Sequence, residues 1–495
     1  MQKKFVKNLA LLLFLNFLVK PFWILGVDRQ VQNVVGPGEY GFYTAILSFS
    51  FLFYIFLDLG ITNFNNRNIA QNTQLLQKHL AGIGTLKLLL GILYGIIIIG
   101  IGIVWGYRGR ELYLLAWVGL NQFLLSFILY LRSNISGLLL FKTDSFLSVL
   151  DRVLMIVIVG IMIWTGWFSM KFTVEWFVYA QTTAYLITAL IALAAVLKQS
   201  GKLQLNWNPV FFIAIIKNSL PFALLVLLMS FYNRIDPVLI RKILPLESGD
   251  YQAGVYAQAF RLLDAGQNFA FLFSVLLLPI FSKLIKEKKP IDQIVRLSFS
   301  ILVTGAIIIA ITSSFFSKEI MSLMYNRFGT ETASEYALRI SQSSYIMSIL
   351  MFSFVAISSN YIFGTLLTAN KSLKNLNIIA FAGLLLNIVV NIALIPKFMA
   401  TGSAWASLVA QGSTAVLQLL LAVKVFKFKP DYLLVAKFIS LILILVLGGW
   451  LMKNIINADW RLLATALFAI GLMYSLIIRL LDVKGLIKIL KSGEA

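Results

Sequence analysis

Lys20, Lys87, Arg132, Arg234 and Arg261 each lie inside a long apolar run of the sequence. A cation at the bilayer centre costs roughly 2.5–3.5 kcal/mol on an insertion scale, so five of them, discounted for depth, cost on the order of 10 kcal/mol. That is comparable to the whole stability of a typical protein. Such residues usually face a bundle interior or a wet cavity. There they offer charge-assisted hydrogen bonds to an anion. Clear acidic partners are fewer than the cations. Arg261 and Asp264 are three apart and could simply pair, whereas the spacing of Arg234 and Asp236 is poor for a helical pair. Lys87 and Arg132 could instead snorkel to the cytoplasmic interface.

The neighbouring polar residues follow helical spacing. Tyr251, Gly254, Gln258, Arg261, Ala265 and Asn268 recur at three- and four-residue steps and make one stripe, with Asp264 beside it. Asn8, Asn16 and Lys20 share about a third of another helix, and Asn218, Asn233 and Asp236 cluster on a third one. Asn16, Gln258 and Asn268 are the expected polar lining of a cavity. Asp58, Asn65, Asn66 and Arg67 close a span; they either gate that cavity or anchor the helix in headgroups. Asp58, Asp236 and Asp264 are candidates for coupling to H⁺ or Na⁺, and the sequence selects none of them. Asn387 and Asn391, four apart, suit amide bonding between helices. Gly91/Gly95 and Gly102/Gly106 suit packing seams. His79, the only histidine, is expected in a solvated loop or at an interface.

Several chemistries are excluded. With no cysteine there is no disulfide and no thiolate nucleophile or metal site. One histidine cannot supply a multi-His metal site, and no Ser-His triad is expected. There is no Gly-x-x-x-x-Gly-Lys-Ser/Thr phosphate loop and no Asp-x-Asp pair to hold a metal for sugar transfer. No loop is large enough for a soluble catalytic domain. The chain is therefore expected not to be an enzyme and to need no cofactor.

The elements that position these residues are membrane helices. The chain has 495 residues, 60% hydrophobic and 13% charged; a soluble domain is about 45–50% apolar and about 25% charged. The balance of 42 Lys and Arg against 20 Asp and Glu, +22, would suggest nucleic acid in a soluble chain. In a membrane chain it orients helices and meets anionic lipid. Hydropathy predicts an all-α polytopic protein with about fourteen spans. Their limits are 5–27, 39–61, 78–106, 111–140, 145–168, 173–197, 212–240, 251–281, 294–316, 336–369, 373–396, 399–424, 432–452 and 459–481. The N-terminal run after Lys3, Lys4 and Lys7 lacks a small-x-small cleavage site and reads as a retained first helix. Loop Lys and Arg favour both termini in the cytoplasm.

The expected organisation is an N-terminal six-helix bundle (1–198), a cytoplasmic linker (199–211), a C-terminal six-helix bundle (212–425) and two further helices with a tail (426–495). An internal echo supports two similarly oriented halves. Pro21, Asp28-Arg29 and Glu39-Tyr40-Gly41-Phe42-Tyr43 find counterparts in Pro221, Arg234-Ile235-Asp236 and Asp250-Tyr251-Gln252-Ala253-Gly254-Val255-Tyr256. Parallel repeats around a central site are a transporter device.

Three segments carry a family resemblance. Leu386-Asn387-Ile388-Val389-Val390-Asn391-Ile392-Ala393-Leu394-Ile395-Pro396-Lys397, followed by Thr401-Gly402-Ser403-Ala404-Trp405-Ala406-Ser407, resembles the span 11–12 junction of Wzx-type polysaccharide flippases. Met399 stands where that family has glycine. Gly36-x-x-Glu39-Tyr40-Gly41-x-Tyr43 and Asp58-Leu59-Gly60-Ile61, leading to Arg67-Asn68-Ile69-Ala70, are similar to the family's first hairpin region. The family shares a superfamily with lipid II flippases and MATE exporters. The resemblance implies a polyprenyl-pyrophosphate-linked oligosaccharide moved from the cytoplasmic to the outer leaflet of a bacterial inner membrane, for O-antigen or capsule synthesis. Glycan polymerases and other assembly proteins are then possible partners. It also implies a cationic cavity, and the matching positions are Lys20, Arg234 and Arg261, with Arg29 and Arg132 beside them. Rival readings are a small-molecule exporter of the same fold, a membrane enzyme of glycan polymerisation, and a scaffold in a glycan-assembly complex.

Overall fold

Breaks in the helices, more than their lengths, organise this chain. The computed structural model describes residues 14–16, 18–165, 170–200, 206–329 and 331–482. Lys3, Lys4, Lys7 and Asn8, part of the expected linker (201–205) and the tail from 483 lie outside the described residues. So do the side chains of Arg67, Asn218 and Pro221.

Contacts divide the chain into two compact units, Met1–Arg241 and Lys242–Ala495. In the first unit a π-helical turn, Trp23–Asp28, runs into α1 (Arg29–Leu52). Gly36, at φ +84°, breaks α1 internally, and Pro37 restarts it. The positive φ suits a residue without Cβ, and proline suits a first helical turn. Short α2 (Ile55–Asp58) and α3 (Ile61–Gln71) follow. They are separated by Leu59 and Gly60, at φ +46° and +80°. Next come α4 (Leu76–Trp105), α5 (Arg110–Gly137), α6 (Phe141–Trp164), α7 (Val174–Ser200) and α8 (Pro209–Ile243). Asn208 caps α8, its Oδ1 accepting the Phe211 amide at 3.0 Å. α5 packs against α1, α3, α4, α6 and α7. Its contact with α4 is close at two of the expected glycine seams: a Cβ on Gly91 would meet the Phe123 ring, and one on Gly102 the Leu115 side chain. Gly95 faces open space, and Gly106 instead ends α4 at positive φ.

The second unit holds α9 (Leu246–Lys286), α10 (Asp292–Phe315), α11 (Ser317–Met324), α12 (Ala333–Ala369), α13 (Leu373–Phe426), α14 (Tyr432–Asn454) and α15 (Trp460–Ile477). A capping box between Thr332 and Glu335 opens α12. α12 is the centre, packed by α9, α10 and α13. The last two helices dock on α10 through Ile308, Ile311, Leu441, Leu445 and Leu467. The 54-residue α13 is two helical stretches joined at Met399 (φ 51°, ψ −135°).

All regular elements among the described residues are helices, and nine of those helices are long and apolar enough to cross a membrane. α1, α8 and α9, of 24, 35 and 41 residues, also reach the length of about 20 residues that a span needs.

Candidate functional site

The break at Leu59–Gly60 creates a closely bonded polar centre in the first unit. Ending α2 in a left-handed turn strips its last carbonyls of helical partners. Leu57 O then accepts from Lys87 Nζ at 2.9 Å and from Ser126 Oγ at 3.2 Å. Lys87 Nζ also reaches Asp58 Oδ1 at 2.5 Å and Ser126 Oγ at 3.1 Å. Asp58 Oδ1 further accepts from the Thr62 amide at 3.2 Å and from the Thr62 hydroxyl. An ammonium has three donors, and all three are used. Lys87 is 1% exposed. The expectation that Lys87 snorkels to an interface is thus corrected: a broken helix offers it acceptors inside the protein. Asp58 is held at the break by the same contacts.

The other positively charged groups sort by their partners. Arg132 Nε meets Asp144 Oδ1 at 2.8 Å across the α5–α6 turn. Arg29 is half-buried beside Asp28, whose carboxylate accepts from Gln32 Nε2 and Tyr40 Oη. The Arg234 guanidinium lies 5.2 Å from the Phe51 ring centre, and Asp236 is buried. Asn16 Nδ2 donates to Ser148 Oγ at 2.9 Å, and Lys20 follows one turn on, half-buried. In the second unit Arg261 and Asp264 lie 3.8 Å apart, and Asn268 Nδ2 donates to Asp264 O.

Four arginines escaped the sequence reading. Arg241, at the end of α8, pairs with Glu111 at 2.6 Å and faces the Phe42 and Tyr107 rings. Arg110 covers the same Phe42 ring at 4.9 Å and binds Glu39 and Glu175. Arg339, essentially buried, forks onto Glu331 at 2.8 and 2.9 Å and also bonds Asn326 O and Gln258 Oε1. Gln258, expected to line a cavity, is therefore buried in a structural clamp. Burial alone would raise the Glu331 pKa, but hydrogen bonds from Arg339 and the Phe328 amide outweigh it and hold the carboxyl below its ordinary value. The fourth is Arg152, in the middle of α6. Arg241 and Arg339 sit at the edges of the expected spans, where a charge looks like a headgroup anchor. Arg152 lies well inside the expected span 145–168 and carried the same signal as the five chosen cations.

His79 is also corrected. It is 4% exposed and packs on Phe211, because α4 begins at Leu76 and carries it into the helix. Asn387 and Asn391 are fully buried and hydrogen-bonded to each other; Asn391 Oδ1 also accepts from Ser403 Oγ at 2.7 Å across the Met399 break.

Described elements that are all helical, nine of them long and apolar enough to cross a membrane, define a multi-pass helical membrane protein, and known structures place the fold more closely. The chain is similar to the lipid II flippase MurJ in an inward closed conformation: 18% identity, 97% of this chain and 100% of that one, TM-score 0.71. An inward-facing multidrug resistance MATE family transporter of the MOP superfamily matches at 14% identity, 85% of this chain and 98% of that one, TM-score 0.60. A MOP superfamily transporter from Pyrococcus furiosus matches at 15% identity, 86% and 96%, TM-score 0.56. No curated protein sequence matches the chain. The model of the polysaccharide biosynthesis protein family matches residues 5–285, and the chain belongs to that family.

Proposed function

We propose that this protein is a flippase that moves a polyprenyl-pyrophosphate-linked oligosaccharide from the cytoplasmic to the outer leaflet of a bacterial inner membrane, for O-antigen or capsule synthesis. Fourteen spans form two six-helix bundles plus two C-terminal helices, with both termini cytoplasmic. Lys20, Arg29, Arg132, Arg234 and Arg261 hold the pyrophosphate and the adjacent glycan. The bundles rock between inward and outward access while the polyprenyl tail stays in lipid. Asp58, Asp236 or Asp264 couples the cycle to H⁺ or Na⁺, with Arg67 beside the cytoplasmic gate.

The observation that carries this reading is the set of cations inside apolar helices of a polysaccharide-biosynthesis chain. A pyrophosphate diester has about two negative charges, and hydrogen bonds between charged partners contribute about 1.5–3 kcal/mol each. Arginine binds phosphate through two parallel donors. Two or three such bonds offset part of the cost of withdrawing the headgroup from water. The test is translocation of a lipid-linked oligosaccharide in proteoliposomes by the wild type and by the Arg234→Ala/Arg261→Ala variant. The double variant is expected to fold and insert but not to translocate. Normal translocation by it overturns the site, and no translocation by the wild type with its native lipid-linked glycan overturns the function.

A further inference from the structure

We propose that Arg152, with Lys20, forms an oxyanion-binding site within the first unit, taking a phosphate or carboxylate of the lipid-linked substrate. The substrate assignment rests on the flippase reading; the anion site itself does not.

Arg152 is the twelfth residue of the 24-residue α6. At 1.5 Å per residue this places it about 17 Å from either helix end, near the depth of the hydrocarbon centre. A cation there is costly unless partners or water meet it. Arg132, Arg241 and Arg339 each meet a carboxylate oxygen at 2.6–2.8 Å. Arg152 does not. Its one hydrogen bond among the described residues goes to Tyr185 Oη at 3.3 Å. Its nearest carboxylate oxygen, Asp151 Oδ2, is 3.5 Å from Nε, beyond hydrogen-bond length. The bland reading is that Asp151 neutralises it. Neighbours in a helix project about 100° apart, so this pair cannot form the two parallel bonds a guanidinium makes with a carboxylate.

Most of the five N–H donors are left for another acceptor, and a quarter of the side chain is exposed. Trp23 and Tyr185 hold the guanidinium at 5.6 and 6.0 Å from their ring centres. These rings fix its plane, so the donor edge is pre-oriented. Lys20 belongs to the same face. In the segment ahead of α1, Asn16 bonds Ser148 and Trp23 faces Arg152. Lys20 falls between Asn16 and Trp23 at steps of four and three. Ser148 and Arg152 are themselves one turn apart on α6. Helical spacing thus puts Lys20 on the side of its segment that meets α6, and a planar, doubly accepting oxyanion matches the guanidinium edge of Arg152.

The test measures binding of inorganic pyrophosphate and of glucuronate to the purified full-length protein in detergent, by calorimetry. Wild type, Arg152→Gln, Arg152→Lys and Lys20→Gln are compared. The expected result is saturable binding to the wild type, weakened at least tenfold by R152Q and several-fold by R152K and K20Q. Preference for pyrophosphate assigns the site to the lipid diphosphate; preference for glucuronate assigns it to an acidic sugar. If R152Q does not fold, R152K and K20Q decide the matter. Wild-type affinity in the folded variants, or no binding of either probe to the wild type, overturns the proposal. Binding that depends on Arg152 in a protein that translocates no lipid-linked glycan defeats the flippase reading and leaves the anion site standing. Translocation with R152Q binding unchanged does the reverse.

Discussion

Lys87 Nζ donates to the carbonyl oxygen of Leu57 at 2.9 Å, an oxygen that an unbroken helix would have kept for its own amides. A left-handed turn at Leu59 and Gly60 releases it, and the cation sits at the negative end of the short helix, where charge and dipole agree. The same ammonium neutralises Asp58. The break and the ion pair therefore depend on each other.

Replacing Lys87 with Met removes the cation and leaves Asp58 partly buried without it. Breaking a buried pair costs about 3–5 kcal/mol. Lys87→Met should lower the unfolding free energy by an amount of that order, seen as a lower unfolding temperature in detergent, and adding Asp58→Asn should recover part of the loss. A single variant as stable as the wild type contradicts the coupling.

Arg241 and Arg110 flank one ring, Phe42, but differ in exposure. The Arg241 side chain is 6% exposed and the Arg110 side chain 49%. Solvent-exposed ion pairs contribute about 0–1 kcal/mol. Arg110→Gln should therefore change stability by less than about 1 kcal/mol, whereas Arg241→Gln should cost about 3 kcal/mol. Equal effects in denaturant titrations would show that burial does not set the difference.

Met399 occupies a backbone conformation that glycine tolerates and other residues rarely adopt. Its side chain is 44% exposed, so little packing is lost on truncation. Met399→Gly should stabilise the protein by about 1 kcal/mol, the relief of strain being partly offset by the flexibility glycine adds to the unfolded chain. Gly402→Ala should do the opposite at the same break: its Cβ would sit 2.6 Å from the Leu394 carbonyl, a backbone contact that cannot yield, at a cost of about 1–3 kcal/mol. Unfolding temperatures of the two variants check both signs.

Glu331 is held below its ordinary pKa in the folded protein. A depressed folded pKa stabilises above the unfolded value, about 4.3 for Glu, and that stability is lost as pH falls through the folded value. Unfolding temperature should therefore decline below about pH 4, and this part of the decline should be missing in Glu331→Gln. The variant should also be less stable at pH 7, because Arg339 remains buried with its fork unanswered. Identical pH profiles would remove Glu331 from the account.

Much of this protein was legible in its residues. Hydropathy is a local property, so an all-helical, membrane-crossing chain follows from composition and run length. Charge within an apolar run is equally local, which is why Lys20, Arg132, Arg234 and Arg261 could be singled out. Arg152 stands in the same kind of run and carries the same signal, although it was not singled out; the structure sets the nearer Asp151 carboxylate oxygen at 3.5 Å from it. Partnership is different, because it is decided by residues distant along the chain. Leu57 and Lys87 are 30 positions apart, and Glu111 and Arg241 are 130 apart. Gln258 shares a face with Arg261 in sequence but is taken up by Arg339, 81 positions on. A solvated His79 and a snorkelling Lys87 were reasonable by local polarity; tertiary packing placed both inside. Low dielectric makes an unmet polar group expensive, so the fold settles each charge with whatever acceptor the helix breaks and crossings bring near, and no local pattern encodes which one that is.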